Sequence, residues 1–179
     1  MNKTKYITRV GMLAAAAVIL QYLGSLIGLK VAGFLDVEIS DYPAILGTLA
    51  LGPMAGVFIE FIKNLLHLAI SHTGFVGELA NFLITGSFVF AVGIIYKNNK
   101  TKKGAMLSLA FGVIALCVAG IVFNTTITLP LYMPQLSLSE RIFGYVFPVI
   151  TPFNFVKGIV LSIITILTYK QLSPFLHKQ

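Results

Sequence analysis

The run at 105–129, AMLSLAFGVIALCVAGIVFNTTITL, carries no charged side chain. A helix on the surface of a soluble domain keeps a polar face; one that is apolar all round lies in the core of a large protein or inside a bilayer. Only 11% of the 179 residues are charged, against roughly 25% in an ordinary soluble domain. The chain is therefore read as an integral membrane protein. A span takes about 20 mostly apolar residues, so this length holds at most about six helices with short loops and leaves nothing for a soluble domain.

Charge, glycine and proline divide the chain into one all-α domain over 1–179. Helix one covers about 7–29, and its uninterrupted apolar part marks an uncleaved first span rather than a signal peptide. KVAGFLDVEISD follows, with an alternating character that suits a short hairpin or an ordered cap. The stretch YPAILGTLALGPMAGVFIEFIKNLLHLAI is too long and too interrupted for one straight helix. Gly52 and Pro53 divide it into a short second helix, 42–51, and a third, 53–70, because proline lacks the amide that would continue a helix and is tolerated in a first turn. The fourth helix covers 77–96 and the fifth 105–129, ending near Pro130; the polar extension LYMPQLSLSERIFGYVFP leads to the sixth, 152–172.

Six spans put Lys3, Lys5, Arg9, Lys97, Lys100, Lys102, Lys103, Lys170 and Lys178 on one side. Lys30 and Arg141 fall on the other, with Asp36, Glu38, Asp41 and Glu140. The positive-inside rule then predicts two cytoplasmic termini and an outward-facing, ordered first loop. This placement also accounts for the net charge of +7. No basic patch is interleaved with base-stacking aromatics, so nucleic acid is excluded as a partner. Cys117, the single cysteine, rules out an internal disulfide and reads as a small apolar residue.

Glu60, Lys63, Glu78 and Lys157 stand within or beside spans, joined by Asn64, His67, Asn81, Asn124 and Asn154. Polar groups at such depth face the bundle or a wet cavity and point to function. Glu78 and Asn81 share a helix face at i, i+3, as do Asn154 and Lys157. With Asn124 near the end of helix five, they converge on the outward half of the bundle, as the lining of a pocket. Structural readings stand beside this one. Glu60 with Lys63, or Lys63 with Glu78, suits a buried ion pair; Asn81 and Asn124 suit interhelical hydrogen bonding. Lys157, two turns from the expected helix start, suits snorkelling.

His67 and His72 stand five apart, off the i, i+4 face that binds metal, so no metal is expected. The chain has no phosphate-cradling G-x-x-x-x-G-K-[ST], nucleophile elbow, H-E-x-x-H or cysteine cluster. Binding is expected rather than catalysis, with no cofactor, and any driving force for transport would come from another subunit. In GMLAAAAVIL, Gly11, Ala14 and Ala15 make a small-residue surface that admits close approach of another helix, from a partner or from this bundle.

The alanine-rich first helix, DYPAILGTLALGPMAGVFIEFIKNLLH at 41–67, GELANFLITG at 77–86 and FNFVKG at 153–158 together resemble the substrate-binding S components of energy-coupling-factor (ECF) vitamin transporters, most closely the riboflavin-specific branch. The resemblance implies a six-helix domain in a bacterial cell membrane that captures vitamin from outside and docks on a transmembrane coupling subunit with two ATPase subunits. It implies that Asn154 and Lys157 bind the flavin ring with Asn124, that Lys63, Glu78 and Asn81 contribute, and that the first loop, with Leu35 and Asp36, caps the pocket. Gly11, Ala14 and Ala15 match the docking surface, blurred by Val18. The chemistry agrees, because an amide has the donor and acceptor that a uracil-like ring edge requires. Two alternatives stay open at this level: an S component for another vitamin, such as thiamine or pantothenate, and a membrane scaffold whose polar residues only join helices.

Overall fold

A computed structural model describes residues 2–27, 30–31, 35–36, 39–71 and 74–177, with side chains omitted at 25, 27, 30–31, 35–36 and 170–177. Glu38, His72 and Lys178 lie outside the described residues, as do the side chains of Leu35 and Asp36.

Six helical segments form the bundle: α1 (Lys3–Ile27), α2 (Tyr42–Leu51), α3 (Pro53–His67), α4 (Val76–Tyr96), α5 (Lys102–Phe123) and α6 (Thr151–His177). A 3-10 turn, Leu68–Ile70, extends α3. Between α1 and α2, β1 (Lys30–Val31) and β2 (Leu35–Asp36) pair antiparallel, with Lys30 opposite Asp36 and Val31 opposite Leu35. The expected hairpin is present in the first loop.

Among the described residues, five segments are long and apolar enough to cross a bilayer. The exception is α2, whose ten residues reach only about 15 Å at 1.5 Å per residue, half of a hydrocarbon core. The expected six-helix bundle is thus present, with its short second helix crossing half of that thickness. Gly52, at φ +105°, ends α2 and begins α3, in a conformation that favours glycine. The α2–α3 hairpin turns there against α4, where a methyl at Gly93 would lie 2.6 Å from the Pro53 Cα. Gly93→Ala should therefore lower stability by about 1–3 kcal/mol through overpacking, read as a lower melting temperature of the detergent-purified protein.

The Tyr96 and Tyr169 hydroxyls meet at 2.8 Å, placing the ends of α4 and α6 at one level. At the other end, the Tyr22 hydroxyl donates to the Leu66 carbonyl at 3.2 Å, so α1 and α3 finish together. The start of α1 therefore lies at the same end as Tyr96 and Tyr169. Lys97, Lys100, Lys102 and Lys103 are exposed there, and we call it the basic end. Thr101 caps α5 at that end, its hydroxyl accepting from the Gly104 amide at 3.0 Å.

The sixth helix starts at Thr151, close to the expected Pro152, and a helical lead-in precedes it. Ser137 and Glu140 form a capping box that starts a turn at Leu138–Glu140, and a π-helix, Arg141–Ile150, carries Pro148 into α6. Pro130 likewise does not end the fifth segment, which passes through a π-helix, Asn124–Thr128, into a last turn, Leu129–Tyr132. π turns are wider than α turns and recur at functional sites. Lys157 thus stands deep within a continuous helical segment, far from its start.

Ile45, Ile59, Phe88, Val89, Val92, Leu109, Leu116 and Leu161 are buried in the core. Glycines let the helices close: a methyl at Gly112 would lie 2.7 Å from the Phe88 ring, and one at Gly158 3.0 Å from Val113. This is the small-residue packing used where lipid supplies no hydrophobic drive between helices. Phe61, Leu65, Phe111, Ile114, Val118, Ile163 and Leu167 point outward, as a lipid-facing surface requires.

Candidate functional site

The α2–α3 hairpin has a geometric consequence. Asp41 and Lys63 are each eleven residues from Gly52, one before it and one after (52 − 41 and 63 − 52). Antiparallel helices of equal rise bring such positions level, and the two side chains form an ion pair with both partners fully buried. Lys63 also meets Glu60 Oε2 at 2.8 Å, and its Nζ donates to Ser40 Oγ at 3.4 Å. The second oxygen of Asp41 meets Lys157 Nζ on α6 at 2.7 Å. Lys157 in turn donates to Asn81 Oδ1 on α4 at 3.3 Å, and the Thr85 hydroxyl donates to the same oxygen at 3.0 Å.

The result is a chain of contacts, Glu60–Lys63–Asp41–Lys157–Asn81, that joins α3, the start of α2, α6 and α4. Among the described residues two carboxylates face two ammoniums, so these four charges balance. That balance matters because an unmatched charge at this depth is costly and a paired one is tolerated. At about 1.5 Å per residue, Lys63 lies about 15 Å from the basic end, Lys157 about 18 Å and Asn81 about 22 Å. The cluster occupies the middle and far half of the bundle.

Asn124 and Asn154 complete the polar face. The Asn124 amide donates to the Gly120 carbonyl at 2.8 Å and that of Asn154 to the Ile150 carbonyl at 3.0 Å. A methyl at Gly120 would lie 2.6 Å from Asn154 Nδ2. One glycine therefore lets α6 lay its amide against α5, and Asn124, the first residue of the π-helix, bonds to that same glycine. Both asparagines are buried. Further toward the far end, His67 Nδ1 lies 2.9 Å from Glu78 Oε1, and the Tyr22 ring meets the His67 ring edge-on with centroids 6.0 Å apart.

Of the residues singled out from sequence, Lys63, Asn81 and Lys157 belong to one network, Asn124 and Asn154 adjoin across Gly120, and Glu78 is engaged by His67. The Glu60–Lys63 ion pair is present. The loop charges place Asp41 with the acids of the outward loop, yet it is the residue that links the two lysines. Its signal in the sequence was the equal spacing about Gly52–Pro53.

The family model described as the substrate-specific component of ECF transporters matches residues 5–169. The chain belongs to this family. Its match to "Riboflavin transporter RibU" of Staphylococcus aureus (strain TCH60) is 33% identical, covering 99% of this chain and 95% of that protein. "Riboflavin transporter FmnP" of Bacillus subtilis (strain 168) is also 33% identical, over 99% of this chain and 96% of its own. A solved chain from a study of the structure and mechanism of the S component of a bacterial ECF transporter superposes with a TM-score of 0.80 at 32% identity, covering 99% of this chain and 100% of that one. This S component is accordingly a multi-pass protein of the bacterial cell membrane.

The first helix of the S component presents two faces. Val10, Ala14, Ala17 and Gln21 are buried, a stripe at helical spacing on a helix that packs against α2 and α3. Gly11 and Ala15 are exposed, and a methyl at Gly11 would meet nothing within 4 Å. Ala14 therefore belongs to the interior of the bundle, and only Gly11 and Ala15 remain on the outer small-residue face. The 3.6-residue period divides neighbouring alanines between the two.

Proposed function

We propose that this S component captures riboflavin and serves its uptake, docking through the Gly11–Ala15 face on a transmembrane coupling subunit whose two ATPase partners supply the energy. One observation carries the reading. Lys157 has three donors, of which one bonds to Asn81 while the ammonium pairs with Asp41, and the Oδ1 atoms of Asn124 and Asn154 accept no hydrogen bond among the described residues. A cation, two amides and a neutral surrounding suit a flat heterocycle whose edge alternates carbonyls with an N–H, as in isoalloxazine. The two relatives described as riboflavin transporters support the same choice over thiamine or pantothenate.

The positive-inside rule turns the basic end to the cytoplasm, which sets the cluster in the outer half and the hairpin of Leu35 and Asp36 on the outside as a cap. Lys157, Asn154, Asn124 and Asn81 are the proposed ring contacts. Lys63 has no exposure, and Glu78 is turned to His67, so both serve by holding the walls.

Adding the purified protein to riboflavin should quench flavin fluorescence with an end point near one flavin per chain, and excess thiamine or pantothenate should leave the quench in place. No quench at micromolar protein, or displacement by either vitamin, would overturn the reading.

A further inference from the structure

We infer that Asp41 is a positioning residue for the binding site: it fixes the ammonium of Lys157 in place for the ligand and couples that ammonium to the end of the first loop. The inference rests on the riboflavin reading and adds a residue to it.

Asp41 is the N-cap residue of α2 but makes no side-chain cap hydrogen bond. An N-cap aspartate ordinarily accepts from the backbone amides of the first turn. Here the carboxylate is turned away to two lysines from two other helices, while the start of α2 still supplies a field that favours an anion. The two lysines are not equivalent. Lys63 is wholly buried and also held by Glu60, so it anchors the carboxylate. Lys157, 12% exposed, is the end that a guest can approach.

With Asp41 in place, Lys157 Nζ is fixed between a carboxylate on one side and Asn81 on the other. Without it, a side chain with four rotatable bonds retains only the neutral Asn81 oxygen at 3.3 Å. A donor free to wander loses ordering entropy when it binds, and affinity falls accordingly. The contact also fixes the start of α2 and the residues that lead into it, since Asp41 is the N-cap residue of that helix. Holding Lys157 in place and holding the end of the loop down are one contact.

A two-residue cycle tests this. Asp41→Asn keeps the shape and leaves the Glu60–Lys63 pair intact. Lys157→Met removes the donor, and the double variant Asp41→Asn/Lys157→Met removes one charge of each sign, so the cluster is balanced again. Riboflavin dissociation constants are measured for each folded protein, with melting temperatures recorded without ligand. Asp41→Asn should weaken binding about tenfold, and the double variant should bind no more weakly than Lys157→Met alone, because residues acting through one contact are not additive. Its melting temperature should exceed that of either single variant.

Affinity of Asp41→Asn within twofold of the native value would overturn the inference, as would a double variant weaker than Lys157→Met by the full Asp41→Asn factor. If Asp41→Asn does not fold, a double variant that binds within twofold of Lys157→Met supports the inference, and one that binds more weakly than Lys157→Met by more than twofold overturns it. A native protein that leaves flavin fluorescence unquenched sinks the riboflavin reading instead, and is distinguished from failure here by the native titration itself.

Discussion

Lys63→Met should destabilise the unliganded protein by about 3–5 kcal/mol, the range for removing one partner of a buried ion pair. The lysine meets Glu60 at 2.8 Å and also pairs with Asp41, and all three side chains have no exposure. Methionine fills much of the same volume, so the loss is electrostatic: among the described residues two carboxylates remain, with Lys157 alone opposite them. For a chain of this size, such a loss corresponds to a melting temperature lower by on the order of 10 °C. Adding Glu60→Gln should recover most of it, because the surviving Asp41–Lys157 pair is balanced. A double variant no more stable than Lys63→Met would mean that charge balance is not what holds the cluster together.

Lys157→Met should weaken riboflavin binding at least tenfold, or about 1.4 kcal/mol, with a smaller effect on folding than Lys63→Met. The difference follows from exposure: Lys157 is 12% exposed and Lys63 is not exposed at all, so losing Lys157 leaves Asp41 still paired with Lys63. Parallel titrations and melting curves of the two variants check the split. Unchanged riboflavin affinity in Lys157→Met would make that lysine a purely structural group and move the site elsewhere.

Much of the frame was legible because lipid imposes a simple rule: apolar runs bounded by glycine, proline and charge are helices. The bounds of α2 and the division at Gly52–Pro53 follow directly from proline's missing amide. The start of α6 at Thr151 matches the expected bound of Pro152, but the helical lead-in before it, opened by the Ser137–Glu140 capping box and visible as S-x-x-E, is not among the expected elements. The π-helices have no such signature. Five-residue hydrogen bonding leaves no period in a uniformly apolar run, so neither Asn124–Thr128 nor Arg141–Ile150 was foreseeable.

The site was legible in part. Lys157 and Asn154 stood out because polar side chains in apolar helices are expensive. What answers Lys157 was hidden, since its carboxylate partner is 116 residues away (157 − 41) and seemed to belong to a wet loop. The half-length of α2 explains the error: a helix that spans half the bilayer brings the residue before it into the interior. Snorkelling falls for the same reason, with the ammonium drawn inward to Asp41 and Asn81. The four alanines of α1 show the limit of reading composition without phase, because Ala14 is buried while Ala15, one residue on, is exposed.

The most direct test of the central claim is native mass spectrometry of the intact protein after incubation with equal amounts of riboflavin, thiamine and pantothenate. One adduct per chain, with the mass of riboflavin, is expected, together with its loss in Lys157→Met. An adduct of another vitamin, or a riboflavin adduct that survives in Lys157→Met undiminished, would contradict the claim.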